Sequence, residues 1–156
     1  MPDPEPQPAD RRWMQLAVEL AGRCPPSSRA YSVGAVLVDE LGHEIARGYS
    51  RETDPNVHAE ESALAKTDRA DPRLGRATMY STLEPCSQRK SRPGSCTQLI
   101  LAAGIRRVVI AWREPSLFVA DCRGYELLTA AGVAVIELPE FGSQAQAANS
   151  HLPNDR

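Results

Sequence analysis

Apolar residues recur at helical spacing from about Arg11 to Arg23, with Trp13, Leu16, Ala17 and Leu20 on one face and Pro25-Pro26 closing the segment. The period then changes. Val33 to Asp39 is a β-rich apolar run, Leu41-Gly42-His43 a turn, and Glu44 to Tyr49 a returning strand, which together predict a hairpin. Pro55-Asn56-Val57 introduces a second helix over about His58 to Lys66, packed through Ala59, Ala63 and Leu64. Strands are predicted at Ala77–Leu83, Arg107–Trp112 and Val133–Leu138. Between them, one helix runs from about Ser95 to Ala103 and is stopped by Gly104, and another runs from Gly124 to Ala131 and is stopped by Gly132. The order α-β-β-α-β-α-β-α-β predicts an α/β fold with a mixed five-stranded sheet and helices on both faces.

The two ends read differently. Residues 1–10 alternate proline with polar or acidic residues and are expected to be a disordered, solvated N-terminal arm. Beyond Pro139 the chain turns to Gly, Ser, Gln, Ala and Asn, so 139–156 is expected to be a weakly ordered tail, leaving 11–138 as the folded domain. Removing residues 1–10 and 143–156 should then leave stability nearly unchanged.

Composition narrows the class. A hydrophobic content of 42% with 24% charged residues is that of an ordinary globular chain, and 156 residues suit one domain. The net charge of -2 and an aromatic content of 5% argue against a nucleic-acid-binding or nucleic-acid-editing protein, which would carry a basic stripe with interleaved aromatics. No apolar stretch approaches membrane-spanning length, and no export signal opens the chain, so a cytoplasmic location with no membrane partner is the default reading. Four cysteines in such a chain suggest metal ligation or buried thiols before disulfides.

Two short segments carry the candidate chemistry. His58-Ala59-Glu60 opens one predicted helix, and Pro85-Cys86, followed after nine residues by Cys96, leads into the next. Zinc binds neutral imidazole nitrogen and thiolate sulfur, and a catalytic site uses three protein ligands and leaves the fourth position to water. His58, Cys86 and Cys96 fit that set, with Glu60 as the adjacent carboxylate that moves protons. A purely structural zinc site has no need of Glu60 and would close the fourth position. Cys24 and Cys122 lack comparable neighbours and are read as core or surface thiols; Glu61 is read as a solvated charge at the helix start.

H-x-E followed by P-C and a second cysteine is the zinc-deaminase signature, and at these residues the chain resembles the cytidine-deaminase-like superfamily. Within it, it is most similar to the deaminase part of the riboflavin-pathway bifunctional deaminase/reductases. The matching pieces are Val33–Val38, Gly48-Tyr49, His58-Ala59-Glu60 with Ala63-Leu64, Thr82–Ser87, Ala102–Ile105, Arg107–Val109 and the closing Leu128 and Ala130–Val133, covering about residues 11–138. The resemblance implies a three-layer α/β/α sandwich, a Zn2+ cofactor, hydrolysis of an exocyclic amine on a pyrimidine-type ring with release of ammonia, and a homo-oligomer (dimer or tetramer). It implies a phosphoribosylated diaminopyrimidine as substrate. The alternatives are a cytosine nucleoside or nucleotide, or an aminated heterocycle of a specialised pathway.

The chain also departs from that family. Its Pro-Asn-Pro stretch before Val-Gly is here Arg29-Ala30-Tyr31, the His after Gly-Tyr is Ser50, the His two after the first cysteine is Gln88, and no reductase domain is present in the sequence. Substrate contacts are expected from the backbone at Ala59 and Cys86. The loop between the cysteines carries Arg89, Lys90 and Arg92, which either clamp a substrate phosphate or form a solvated basic loop.

Overall fold

The apolar run Gly34–Val38 is buried at every position because it forms an interior strand, β1, with neighbours on both edges and helices over both faces. The computed structural model describes residues 4–87, 94–113 and 123–152. Among these, the order is α1 (Pro8–Ala21), β1, β2 (Glu44–Tyr49), α2 (Ala59–Ala65), β3 (Thr78–Ser81), α3 (Cys96–Ala102), β4 (Arg107–Ile110), α4 (Gly124–Ala130), β5 (Ala134–Glu137) and α5 (Gly142–Ala147), with single 3-10 turns at Leu74–Arg76 and Pro139–Phe141. No helix of the described residues is long and apolar enough to cross a membrane.

The strands lie in the order β2-β1-β3-β4-β5. β1 pairs antiparallel with β2 and β3, whereas β3, β4 and β5 run parallel. The mixed five-stranded sheet predicted from periodicity is therefore the sheet observed. Alternation along the strands divides the core in two. Ala35, Leu37, Met79, Val108, Ile110 and Val135 face α2, α3 and α4 through Ala59, Leu64, Ile100 and Leu128. Val36, Val38, Tyr80, Val109 and Ile136 face α1 and the C-terminal segment through Met14, Ala17, Leu20, Phe141 and Ala145.

Two glycines bring helices close to the sheet. At Gly34 a Cβ would run into the Ala17 carbonyl, so α1 lies directly on β1. At Gly48 a Cβ would stand 2.5 Å from the Ala59 carbonyl oxygen and 2.7 Å from the Ala63 nitrogen. The helix that begins beside His58 is thus seated on β2 at a distance only glycine permits.

The ends correct the sequence reading. The N-terminal arm is not disordered up to residue 10: Pro8 opens α1, where its fixed φ suits the first helical position. Asp10 is fully buried, accepts the Gln7 N–H at 2.7 Å, and pairs with Arg107 through two bonds of 2.8 and 2.7 Å. Tyr80 donates its hydroxyl to the same carboxylate at 2.6 Å. The C-terminal segment is likewise packed. Phe141, Ala145, Asn149 and Leu152 are buried, because apolar residues spaced through this polar stretch fall on the face turned to α1 and the sheet.

Candidate active site

His58 stands immediately before α2, with extended backbone (φ -90, ψ 160), as its N-cap. Its backbone N–H donates to the Glu61 carboxylate at 3.1 Å, and its carbonyl accepts the Ser62 N–H at 2.9 Å. Glu61 is therefore a capping residue at the third helical position rather than a loose charge. The preceding residue is held as well, since the Val57 carbonyl accepts the Arg51 N–H at 2.8 Å. Glu60, in the first turn of α2, is 4% exposed.

The cysteines arrive from β3 and α3. After β3 the chain turns, with the Thr82 N–H donating to the Gly34 carbonyl at 3.1 Å and the Glu84 N–H to the Trp112 carbonyl at 2.8 Å. The Glu84 carboxylate accepts the Tyr125 N–H at 2.8 Å, and Gly124 lies so close to the Pro85 carbonyl that any side chain there would collide with it. These contacts present Cys86 to α3. Its carbonyl accepts the Thr97 N–H at 3.1 Å, and its sulfur accepts the Cys96 N–H at 3.2 Å. Ser95 and Gln98 cap α3 reciprocally, at 3.1 and 2.9 Å, which sets Cys96 as its first residue.

The three predicted ligands converge. His58 Nδ1 lies 3.6 Å from Cys86 Sγ and 3.3 Å from Cys96 Sγ, and the three atoms all lie within 4.8 Å of one another. Tetrahedral zinc with bonds of about 2.0–2.3 Å sets an N···S separation of about 3.5 Å, so the residues fit the ion. Ligation through Nδ1 leaves the ring proton on Nε2. The hydrogen bond from the Cys96 thiol, helped by His58 and the Cys96 N–H, outweighs burial and holds the Cys86 thiol below the usual thiol range. That direction favours the thiolate, the form in which cysteine binds a metal. Both cysteines are buried and neither is in a disulfide.

Of the other predicted site residues, Ala59 is fully buried at the start of α2, and Arg89, Lys90 and Arg92 lie outside the described residues, as does Cys122. Cys24 is half-buried, its thiol directed at the Val33 carbonyl, and burial pushes it up in pKa. Ser50, where the resembling family has a His, is buried, and its hydroxyl accepts the Val33 N–H at 2.9 Å. Sequence reasoning gave no role to Glu84, Thr82 or Gly124, although Thr82 and Glu84 stood within the motif around Cys86. A shallow groove lined by Asp39, Glu40, Leu41 and Arg73 lies at the far end of the sheet. Residues 39–41 follow β1 and 72–76 precede the antiparallel β3, so that groove takes no part in this site.

Comparison with known proteins agrees with this geometry. Residues 7–112 match the family model described as the cytidine and deoxycytidylate deaminase zinc-binding region. The chain is 42% identical over 145 residues to the diaminohydroxyphosphoribosylamino-pyrimidine deaminase of Schizosaccharomyces pombe, a match that covers 90% of this chain and 35% of that protein. The chain thus spans about a third of the length of the curated relatives it matches. Among solved structures, Acinetobacter baumannii RibD superposes with a TM-score of 0.77 at 32% identity, over 90% of this chain and 38% of that one. The Aspergillus oryzae Rib2 deaminase superposes with a TM-score of 0.70 at 26% identity, over 91% of this chain and 99% of that one. The metal triad, the fold around it and these matches give one conclusion: the chain belongs to the cytidine and deoxycytidylate deaminase zinc-binding family.

Proposed function

We propose that this chain is a zinc-dependent aminohydrolase that replaces an exocyclic amine of a phosphoribosylated diaminopyrimidine by a carbonyl and releases ammonia. The observation that carries the chemistry is the convergence of His58 Nδ1 with the Cys86 and Cys96 sulfurs, together with a buried carboxylate, Glu60, two residues after His58 in the sequence. The substrate class is supported by the relatives, the 42%-identical fission-yeast protein being named as a diaminohydroxyphosphoribosylamino-pyrimidine deaminase.

The chemistry a bound zinc supplies is Lewis acidity that makes a nucleophile of water near neutral pH. His58, Cys86 and Cys96 are the residues that would hold it. Glu60 accepts a proton from the attacking water as oxygen bonds to the ring carbon bearing the amine, and delivers it to the adjacent ring nitrogen. As the new hydroxyl on the ring carbon becomes the carbonyl, Glu60 takes its proton and passes it to the amine, so that the C–N bond breaks and ammonia leaves. Burial of Glu60 keeps bulk water from intercepting that proton. The backbone of Ala59 and Cys86 lines the site, and Arg89, Lys90 and Arg92, placed in the sequence between the two cysteines, supply cations for a substrate phosphate. Self-association into a dimer or tetramer belongs to the same reading. Leu101 on α3 and Leu127 on α4 keep 37% and 41% of their surface exposed, which supports it.

The test is ammonia release by purified zinc-loaded protein from a panel comprising the phosphoribosylated diaminopyrimidine, its dephosphorylated form, cytidine and deoxycytidylate. Preferential turnover of the first supports the reading. Preferential turnover of a cytosine compound overturns the substrate class.

A further inference from the structure

Arg51 is, among the described non-glycine residues, the one whose backbone has a positive φ, at 61°. That conformation disfavours a side chain, yet the residue is an arginine with every nitrogen employed. Its Nε donates to the Pro25 carbonyl at 2.9 Å, one terminal nitrogen to the Tyr31 carbonyl at 3.1 Å, and the other to the Ser32 hydroxyl at 2.6 Å. Its own N–H holds the Val57 carbonyl, one residue before His58. A single residue, by its side chain and its backbone N–H, therefore ties both ends of segment 25–32 to the approach of the imidazole ligand. No carboxylate of the described residues forms an ion pair with it, so the guanidinium is committed to backbone and hydroxyl oxygens.

The same segment is gripped from the other side by the C-terminal region. Asn149, 7% exposed, accepts the Ser32 N–H at 2.6 Å through Oδ1 and donates Nδ2 to the Ser32 carbonyl at 3.1 Å. His151 Nε2 lies 2.6 Å from the Ser27 carbonyl oxygen. Within the segment, Tyr31 meets Trp112 edge-on, ring centroids 5.5 Å apart, and the Trp112 carbonyl accepts the N–H of Glu84 in the cysteine turn. Segment 25–32 thus sits between the approach to His58 and the approach to Cys86, held by Arg51 on one side and by Asn149 and His151 on the other.

We infer that Arg51 and Asn149 are positioning residues that set segment 25–32 between the approaches to His58 and Cys86, and that through this segment the C-terminal region governs substrate affinity without touching the metal. For the identity of the substrate this rests on the deaminase reading above; the positioning itself does not. Arg29, exposed on the segment, provides a reporter, because trypsin can cut after it once the segment loosens.

The experiment compares full-length, zinc-loaded wild type with Arg51→Gly and Asn149→Ala. Glycine suits the positive φ, so Arg51→Gly removes the guanidinium while relaxing the backbone, and a folding failure is avoided. The expected result for both variants is a KM raised by about 10-fold with kcat nearly constant and zinc content unchanged, together with faster tryptic cleavage after Arg29. KM values and cleavage rates equal to wild type overturn the inference. So does a parallel fall of kcat, zinc content and melting temperature with no separate change in KM, which would mark both residues as general fold support. Absence of ammonia release by wild type from the phosphoribosylated diaminopyrimidine would count against the substrate reading alone. KM is then read on whichever panel compound wild type deaminates, and the cleavage comparison decides the positioning in every case.

Discussion

The Glu84 carboxylate accepts the backbone N–H of Tyr125 at 2.8 Å, and through that bond the turn carrying Cys86 and the first turn of α4 become one unit. The charge is complementary to the helix start, where unpaired N–H groups collect. Gly124 completes the junction, because its missing side chain lets α4 rest on the Pro85 carbonyl. A bond two residues from a metal ligand is in this way used to fix a helix, and the helix in turn fixes the ligand.

Glu84→Ala should therefore lower zinc affinity by about 10-fold or more, as loss of a supporting interaction around a metal ligand does. Stability should fall by roughly 1.5–3 kcal/mol, the range for a hydrogen bond to a charged group. Glu84→Gln keeps an acceptor and should lie between the two. Competition with a chelating indicator and a urea melt measure both quantities; a Glu84→Ala protein with wild-type zinc affinity would separate the turn from the ligand.

Asp10 should govern acid stability. Burial raises its carboxyl pKa, but bonds from Arg107, the Gln7 N–H and Tyr80 outweigh burial and hold it below the ordinary aspartate range. A depressed folded pKa means the stabilisation is full above the unfolded value of about 3.9 and is lost as pH falls through the folded one. Asp10→Asn leaves Arg107 without its charge partner and should cost about 3–5 kcal/mol at pH 7, or on the order of 10 °C in Tm. Between about pH 5 and pH 2 the wild-type melting temperature should drop more steeply than that of the variant. Parallel curves would mean that Asp10 does not titrate as its partners dictate.

Truncation after Leu138 should destabilise the protein, contrary to the expectation from composition. It strips Phe141 and Ala145 from the α1 face of the core and Asn149 from Ser32. Full burial of a phenylalanine is worth about 1.5–3 kcal/mol, so a loss of about 3 kcal/mol or more is expected. A thermal melt unchanged by the truncation would return the segment to the status of a loose tail.

What the sequence made legible was whatever depends on local period or on residue type. The run Val33 to Asp39 announced a strand, and His58, Cys86 and Cys96 announced a ligand set through their chemistry together with the family resemblance. The ends were illegible for a physical reason. Asp10 reads as one more polar residue of a proline-rich arm until Arg107, distant in sequence, is brought beside it, and Asn149 reads as tail until Ser32 meets it. Pro8 followed by Asp10 did hold a local helix-start signal, which the alternation of prolines masked. Glu84 was visible as part of the motif around Cys86, but its partner, the Tyr125 N–H, is supplied only by the fold.

Substrate phosphate recognition is testable at the residues between the cysteines. Joint Arg89→Ala and Arg92→Ala substitution should raise KM for the phosphorylated substrate by about 10-fold or more, the loss of charge-assisted bonds to an anion. Zinc content should persist, and any unphosphorylated substrate should be processed as before. Equal effects on both substrates would mean that these cations do not meet a phosphate.

The central claim is that Glu60 moves protons at a zinc site built from His58, Cys86 and Cys96. It is tested most directly by the rate of ammonia release from the phosphoribosylated diaminopyrimidine, measured side by side for wild type and Glu60→Gln at matched zinc content. Glutamine preserves shape but cannot accept the proton of water, so the rate should fall by at least ~10²–10⁴-fold while about one zinc per chain remains bound. A Glu60→Gln protein that releases ammonia at the wild-type rate would contradict the account.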